Sequence, residues 1–329
     1  MDAHGGELLV TKHGRAGIVA LNRPKALNAL TLQMVDDFTR ALEHFEADEE
    51  IASVIVRSDV ESAFCAGGDM RAIYHARKEG RHEEADAFFE REFALNRFIH
   101  DFTKPYISLI DGICFGGGMG ITIHGRHRVV GEKAVLAMPE TAIGYFPDVG
   151  ASFFLNRLSR PMARFLGLTG YRLSPGDAVF TGLATRFVPV DRHPEIVSRL
   201  AAGAPAEAVL DELAEAPGDS SLACHIDIVQ RCFSLPSIAD MKEALRREKG
   251  DFAAEALVRL ERAAPSSLAV TMNLLDRTAG LSLSECLAIE LDLAKQVTRS
   301  PDFAEGIRAV LVDKDRNPQW ASGEAEMSL

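Results

Sequence analysis

"DGICFGGGMG", residues 111–120, follows the apolar run "YISLI" at 106–110 and opens into "MGITIHG". A buried strand that ends in three consecutive glycines and passes into helix-like sequence leaves backbone N–H groups at a positive helix end. This is no phosphate-binding P-loop, because no Gly-Lys-Ser/Thr follows, and GxGxxG is absent where a first βα unit would need it. A second turn of the same kind lies upstream. In "SAFCAGGDMR", residues 62–71, Gly67 and Gly68 follow the strand-like "SVIVRS". Glycine lets the backbone turn sharply there and approach a ligand with its amides outward. Two strand-ending glycine turns can each give one N–H to the same oxygen, which is an oxyanion hole made of backbone. A tight strand-to-helix connection is the plainer use of a Gly-Gly-Asp turn.

Outward from these turns the chain has two textures. From about Leu8 to Ala184, short β-rich runs alternate with helical patterns. "ELLVTKHGRAGIVALNRP" reads as two strands around His13-Gly14. "TLQMVDDFTRALEHFEAD" reads as an amphipathic helix with Thr31 as N-cap and Met34, Val35, Phe38, Ala41, Leu42 and Phe45 on one stripe. "IASVIVRS" and "KPYISLIDG" read as strands, "ADAFFEREFALNRFIHDF" as a helix, and "HRVVGEKAVLAMP" as two short strands. Strands alternating with helices predict an α/β fold with parallel pairing. After about Ala201 the sequence is rich in Ala, Leu, Glu and Arg and is broken at Pro217-Gly218, Pro236, Pro265 and Pro301. The division expected is a catalytic core over 1–200 and a helical extension over 201–329 packed on it.

Composition narrows the function. The chain has 329 residues, enough for a full core. Its 36 basic residues face 48 acidic ones, a formal charge of −12, which disfavours nucleic acid or an anionic membrane as partner. Five scattered cysteines without CxxC spacing read as reduced thiols rather than disulfides or a zinc site. The start "MDAHGGELLV" has no basic region followed by an apolar run, and no segment reaches the ~20 apolar residues of a membrane span. A soluble, cytoplasmic protein is the expectation.

A third stretch, "MPETAIGYFPDVGA" at 138–151, is mostly apolar yet carries two carboxylates, Glu140 and Asp148. A carboxylate in apolar surroundings is costly unless it is paired, hydrogen-bonded or neutral. The bland alternative has Asp148 capping a helix that starts at Val149, and Glu140 in a solvated loop after Pro139. A third acid, Glu92, falls on one helical face with Phe88, Leu95 and Ile99. It is either the edge of that stripe reaching solvent or a functional group.

"NRPKALNAL", "AFCAGGDM", "DGICFGGGMG" and "MPETAIGYFPDVGAS", in this order and at these separations, resemble the enoyl-CoA hydratase/isomerase (crotonase) superfamily over roughly residues 8–190. The run "YFPDVGAS" and the tail "DFAEGIRAVLVDKDRNPQW", 302–320, are similar to its 3-hydroxyisobutyryl-CoA hydrolase subfamily and extend the match to nearly the whole chain. The resemblance implies a crotonase-like spiral of ββα units with a C-terminal helical extension. It implies an acyl-CoA whose thioester oxygen is held by the N–H groups of Gly68 and Gly117. Matched motif by motif, Ala26, Leu27, Ala66, Asp69 and Met70 border the substrate with Gly117, Glu140 and Asp148, and Glu92 borders the acyl group.

The departures from the superfamily pattern are informative. Hydratases carry a glutamate shortly after the glycine triplet; here that place is Gly120, which moves no proton. Their second glutamate is retained as Glu140, and Asp148 stands where they tend to have glycine. The acid pair is therefore expected to act on the thioester rather than on a C=C bond. Glu140 either attacks the carbonyl to form a mixed anhydride or serves as general base for water. Asp148 orients a substrate hydroxyl or handles protons. The expected reaction is hydrolysis of a short β-hydroxyacyl-CoA, 3-hydroxyisobutyryl-CoA foremost, as in valine catabolism. Enoyl-CoA hydration or isomerisation is the alternative, and a non-catalytic acyl-CoA binder is a third reading. No cofactor and no metal are expected, CoA being part of the substrate, and homo-oligomerisation stays open. His124 and His127 lack a third ligand, Cys65 and Cys114 read as packing, and Lys25, Arg71 and Lys314 are candidates for the CoA phosphates or plain surface charge.

Overall fold

The computed structural model describes residues 6–321. The chain opens with a hairpin of β1 (Leu8–His13) and β2 (Ala16–Leu21), antiparallel, turning at Gly14 with φ 55°. Helix α1 (Leu32–Ala47) follows, and the Thr31 side chain caps it by accepting the Met34 N–H at 3.2 Å. Its buried residues are Met34, Val35, Phe38, Ala41, Leu42 and Phe45, the stripe that 3.6-residue spacing predicts.

From there each passage of the chain gives one strand to a six-stranded sheet and the next strand to a three-stranded sheet. β3 (Ser53–Ser58) and β4 (Ala63–Cys65) lead to helices α2 (Met70–Lys78) and α3 (His82–Asp101). β5 (Tyr106–Ile110) and β6 (Ile113–Phe115) lead to α4 (Gly117–Ile123). β7 (His127–Val130) and β8 (Val135–Ala137) lead to a 3-10 turn at Glu140–Ile143. With β9 (Arg186–Phe187) the larger sheet runs β1-β2-β3-β5-β7-β9 and the smaller β4-β6-β8. The larger sheet is parallel from β2 onward. Every residue of β2 and β5 is buried, the burial on both faces that makes parallel strands read as continuous apolar runs.

Beyond β9 the described residues form helices, apart from an isolated bridge of Phe187 with Glu215. Pro265 and Pro301 are the first residues of the helices Pro265–Arg277 and Pro301–Ile307, where a missing N–H is no loss. The chain falls into two compact units. One comprises Met1–Gly68, Arg91–Leu136 and Leu173–Ser221; the other comprises Asp69–Glu90, Ala137–Arg172 and Leu222–Leu329. A core of the first unit gathers Ile18, Ile55, Ile107, Leu109 and Val129 from the sheet with Ile196, Leu200, Val209 and Leu213.

Candidate active site

In the first unit the two glycine turns meet. Gly116 takes φ 48° and Gly67 takes φ 113°, backbone that side chains disfavour. Gly117 heads α4, so its N–H is among the leading amides that lack a helical acceptor. A Cβ at Gly117 would collide with Glu92 Oε1 and lie 3.0 Å from the Gly68 nitrogen, while one at Gly118 would collide with the Cys65 carbonyl. Each glycine of the triplet thus has its own reason to lack a side chain. The backbones of Gly68 and Gly117 and a carboxyl oxygen of Glu92 converge on one point.

Glu92 does not reach solvent. It is 2 % exposed, and Phe88, Leu95 and Ile99 on the same face of α3 are equally buried. Cys65 is buried behind the turns, its thiol bonded to the Asn28 carbonyl at 3.1 Å, and burial pushes its pKa up to about 12. That is a packed thiol rather than a nucleophile.

Other sequence candidates are brought to the same turns. The Ala66 N–H donates to the Leu27 carbonyl at 3.0 Å and the Leu30 N–H to Gly67 at 2.8 Å. Buried Asn28, with φ 58°, ties the Ala26–Leu27 segment down by donating to Ser58 Oγ at 2.8 Å and to the Phe64 carbonyl at 2.9 Å.

In the second unit Asp69 caps α2 by accepting the Ala72 N–H at 3.2 Å, and Met70 is that helix's first residue. Glu140 and Asp148 are both buried, at 6 % and 5 % exposure, so the solvated-loop alternative for Glu140 fails. Glu140 begins the 3-10 turn, closed by the Tyr145 N–H bonding to its carbonyl at 3.1 Å. Three later segments hold that turn in place. Thr141 donates to the Leu168 carbonyl at 3.1 Å and accepts from the Ala264 N–H at 3.0 Å through its own carbonyl. Gly144 and Gly306 leave no room for a Cβ, which would strike the Asp302 and Ile143 backbones.

Asp148 is not a helix cap starting at Val149. The helix there is Ala151–Phe154 with Gly150 as its cap, and the Asp148 side chain instead accepts the Tyr145 hydroxyl at 3.0 Å. The reason lies at Glu290, a residue the sequence reading did not single out. Its carboxylate accepts the Gly150 N–H at 2.7 Å, the Ser152 N–H at 2.9 Å and the Ser152 hydroxyl at 2.6 Å. The Gly150 N–H is one of the two amides a capping Asp148 would take, while the other, Ala151, donates to the Asp148 carbonyl at 2.8 Å. Glu290 is fully buried on helix Leu283–Val297 among Leu283, Cys286, Leu287, Leu293, Ala294 and Val297. An acid on that apolar heptad stripe was the available signal.

Burial first, then the Glu290 charge, pushes the Asp148 carboxyl up to about 8; burial likewise raises Glu290, to about 7, against the pull of its Ser152 and Gly150 donors. Carboxyls held this way can exchange protons near neutrality. Lys25, Arg71 and Lys314 are exposed. His127 is buried, and no cluster of three or more metal-ligating side chains occurs among the described residues. No helix among them is long and apolar enough to cross a membrane.

A profile of the enoyl-CoA hydratase/isomerase family matches residues 16–327. A mitochondrial 3-hydroxyisobutyryl-CoA hydrolase of Xenopus tropicalis is 41% identical over 325 residues, covering 96% of this chain and 84% of its own. The Homo sapiens protein of the same name is 39% identical over 324 residues, covering 95% and 84%. A solved enoyl-CoA hydratase from Rhodobacter sphaeroides 2.4.1 superposes with TM-score 0.90 at 37% identity, covering 97% of this chain and 93% of that one. A carnitinyl-CoA dehydratase from Mycobacterium thermoresistibile gives 0.92 at 36%, covering 98% and 94%. With both glycine turns and the strand-pair spiral in place, the chain belongs to the enoyl-CoA hydratase/isomerase family.

Proposed function

We propose that the protein hydrolyses a short β-hydroxyacyl-CoA thioester, foremost 3-hydroxyisobutyryl-CoA, to the hydroxy acid and CoA. The observation that carries this is the burial of both Glu140 and Asp148 within one short segment. Glu140 takes a proton from water as the water oxygen bonds to the thioester carbon, or attacks that carbon itself to give, once the thiolate has left, a mixed anhydride that water then hydrolyses to the hydroxy acid and free Glu140. The carbonyl electrons move onto oxygen, which the Gly68 and Gly117 amides stabilise, an effect worth on the order of 10²–10³ per donor. Collapse breaks the C–S bond, and the departing thiolate takes up a proton. Asp148 meets the substrate's β-hydroxyl or supplies that proton, and Glu92 borders the acyl group.

The named relatives support hydrolysis, whereas the two solved structures are named for hydration and dehydration. Gly120 favours hydrolysis, because it is buried in α4 with no side chain to move a proton to a double bond. All five cysteines are free and four are buried, which suits a reducing compartment; the cytoplasm is one, and the relatives above are named mitochondrial. The test is Glu140→Gln, which keeps the side chain's shape and removes both nucleophilicity and basicity. The variant is expected to bind acyl-CoA with unchanged affinity and to lose thiol release by at least about a hundredfold, the lower range for a lost acid–base group. Turnover at the wild-type rate would overturn the proposal.

A further inference from the structure

Glu290 stands far from every motif of the sequence, yet its carboxylate makes three short hydrogen bonds to the turn that carries Asp148. Both Gly150 and Ser152 amides donate to it, with the Ser152 hydroxyl. The turn needs such a hold. Val149, a β-branched residue, takes φ 52° and Gly150 takes φ 82°, two left-handed residues in succession. Strain of this kind persists only where the surroundings over-determine it. A carboxylate with two oxygens can accept from two successive amides and a hydroxyl together; no other side chain of similar size has that acceptor capacity without a competing donor.

We propose that Glu290 is the positioning residue for Asp148: it clamps the Val149–Gly150 turn and, as a second buried acid, governs the proton balance of the Asp148 carboxyl. The inference rests on the reading that Asp148 takes part in thioester hydrolysis. The groups facing the pair are consistent with an acid–acid couple. Tyr145 donates to Asp148 at 3.0 Å. Thr278, after helix Pro265–Arg277, donates to the Ser152 carbonyl at 3.4 Å. On the helix of Glu290 itself, Cys286 is buried and raised chiefly by that burial, Glu285 bonds to Ser282, and Lys295 pairs with Glu90 at 2.6 Å. Asp302 is taken by the Ser266 hydroxyl and by the Ala321 N–H at 2.8 Å. The one cation named here, Lys295, is engaged by Glu90, and the Glu290 charge acts on Asp148 as a like charge and favours its protonated form.

The experiment follows thiol release against pH in wild type, Glu290→Gln and Asp148→Asn. Asp148→Asn is expected to remove one inflection from the kcat profile. In Glu290→Gln that inflection is expected to move to lower pH by about one unit, the effect of losing a nearby like charge, with KM within about twofold of wild type. A structural role alone would lower the thermal midpoint and leave the inflection where it is, and that result would overturn the proposal. If Glu290→Gln does not fold, Ser152→Ala serves. It removes one of three donors to Glu290, so Glu290 protonates more readily and the inflection again moves down, by less. An unmoved inflection there also overturns the proposal. An Asp148→Asn profile identical to wild type sinks instead the reading of Asp148, and so distinguishes the two failures.

Discussion

A single methyl group is the sharpest probe of the oxyanion turn. Gly117→Ala drives its Cβ into Glu92 and to 3.0 Å from the Gly68 nitrogen. The expected result is a kcat loss of about 10²–10³, the range for one oxyanion donor, with acyl-CoA affinity largely kept; an active Gly117→Ala enzyme would remove the turn from the chemistry. For Asp148 the probe is the substrate. A buried acid left without its hydroxyl partner costs roughly 1–3 kcal/mol. Wild type is therefore expected to prefer 3-hydroxyisobutyryl-CoA to isobutyryl-CoA by at least about tenfold in kcat/KM. In Asp148→Asn that ratio shrinks. Equal losses on both substrates would make Asp148 a proton carrier only and pass the hydroxyl to Glu92. Gly120→Glu is expected to leave crotonyl-CoA unhydrated, since Asp148 stays in place. At this scale the sequence was most legible where chemistry conflicts with surroundings: two acids in an apolar segment, and a third on an apolar helix stripe. Glu290 obeyed the same rule, but its partners lie 138 and 140 residues away, beyond any local spacing.

Elements were legible in proportion to how locally they are determined. The stripe and cap of α1 depend on sixteen consecutive residues and their flanking Thr31, and the structure has both as spacing predicts. The short turn at Glu140 depends on Thr141, Gly144 and Gly306 meeting segments far along the chain, so its burial is a tertiary result. The helix after Asp148 begins two residues later than the local capping rule predicts, because Val149 and Gly150 are left-handed and Glu290 takes the Gly150 amide. These dependences give a mutational test. Gly306→Ala puts a Cβ against the Ile143 backbone and displaces the turn that bears Glu140. Overpacking of this sort costs about 1–3 kcal/mol. A lowered thermal midpoint with a kcat loss larger than the change in KM is the expected outcome; a variant less stable but fully active would show that the turn has slack.

For the whole molecule, alternating strands and helices were enough to predict a parallel α/β arrangement, whose last sheet strand, β9, ends at Phe187. What texture does not carry is the titration of buried acids, which has a global readout. Asp148 and Glu290 are raised from 3.8 and 4.5 to about 8 and about 7. The folded chain then holds their protons more tightly than the unfolded chain. Their contribution to stability is complete below about pH 4 and is lost as pH rises through about 7 to 8. The thermal midpoint of wild type relative to Asp148→Asn is therefore expected to fall between pH 5 and about pH 9. A difference independent of pH would mean that Asp148 is ionised throughout. The central claim is thioester hydrolysis, and its most direct test is one enzyme sample given 3-hydroxyisobutyryl-CoA with a thiol reagent and, in parallel, crotonyl-CoA with its enoyl absorbance followed. Rapid thiol release with unchanged crotonyl-CoA absorbance is the predicted result; loss of that absorbance without thiol release from the hydroxyacyl-CoA would contradict it.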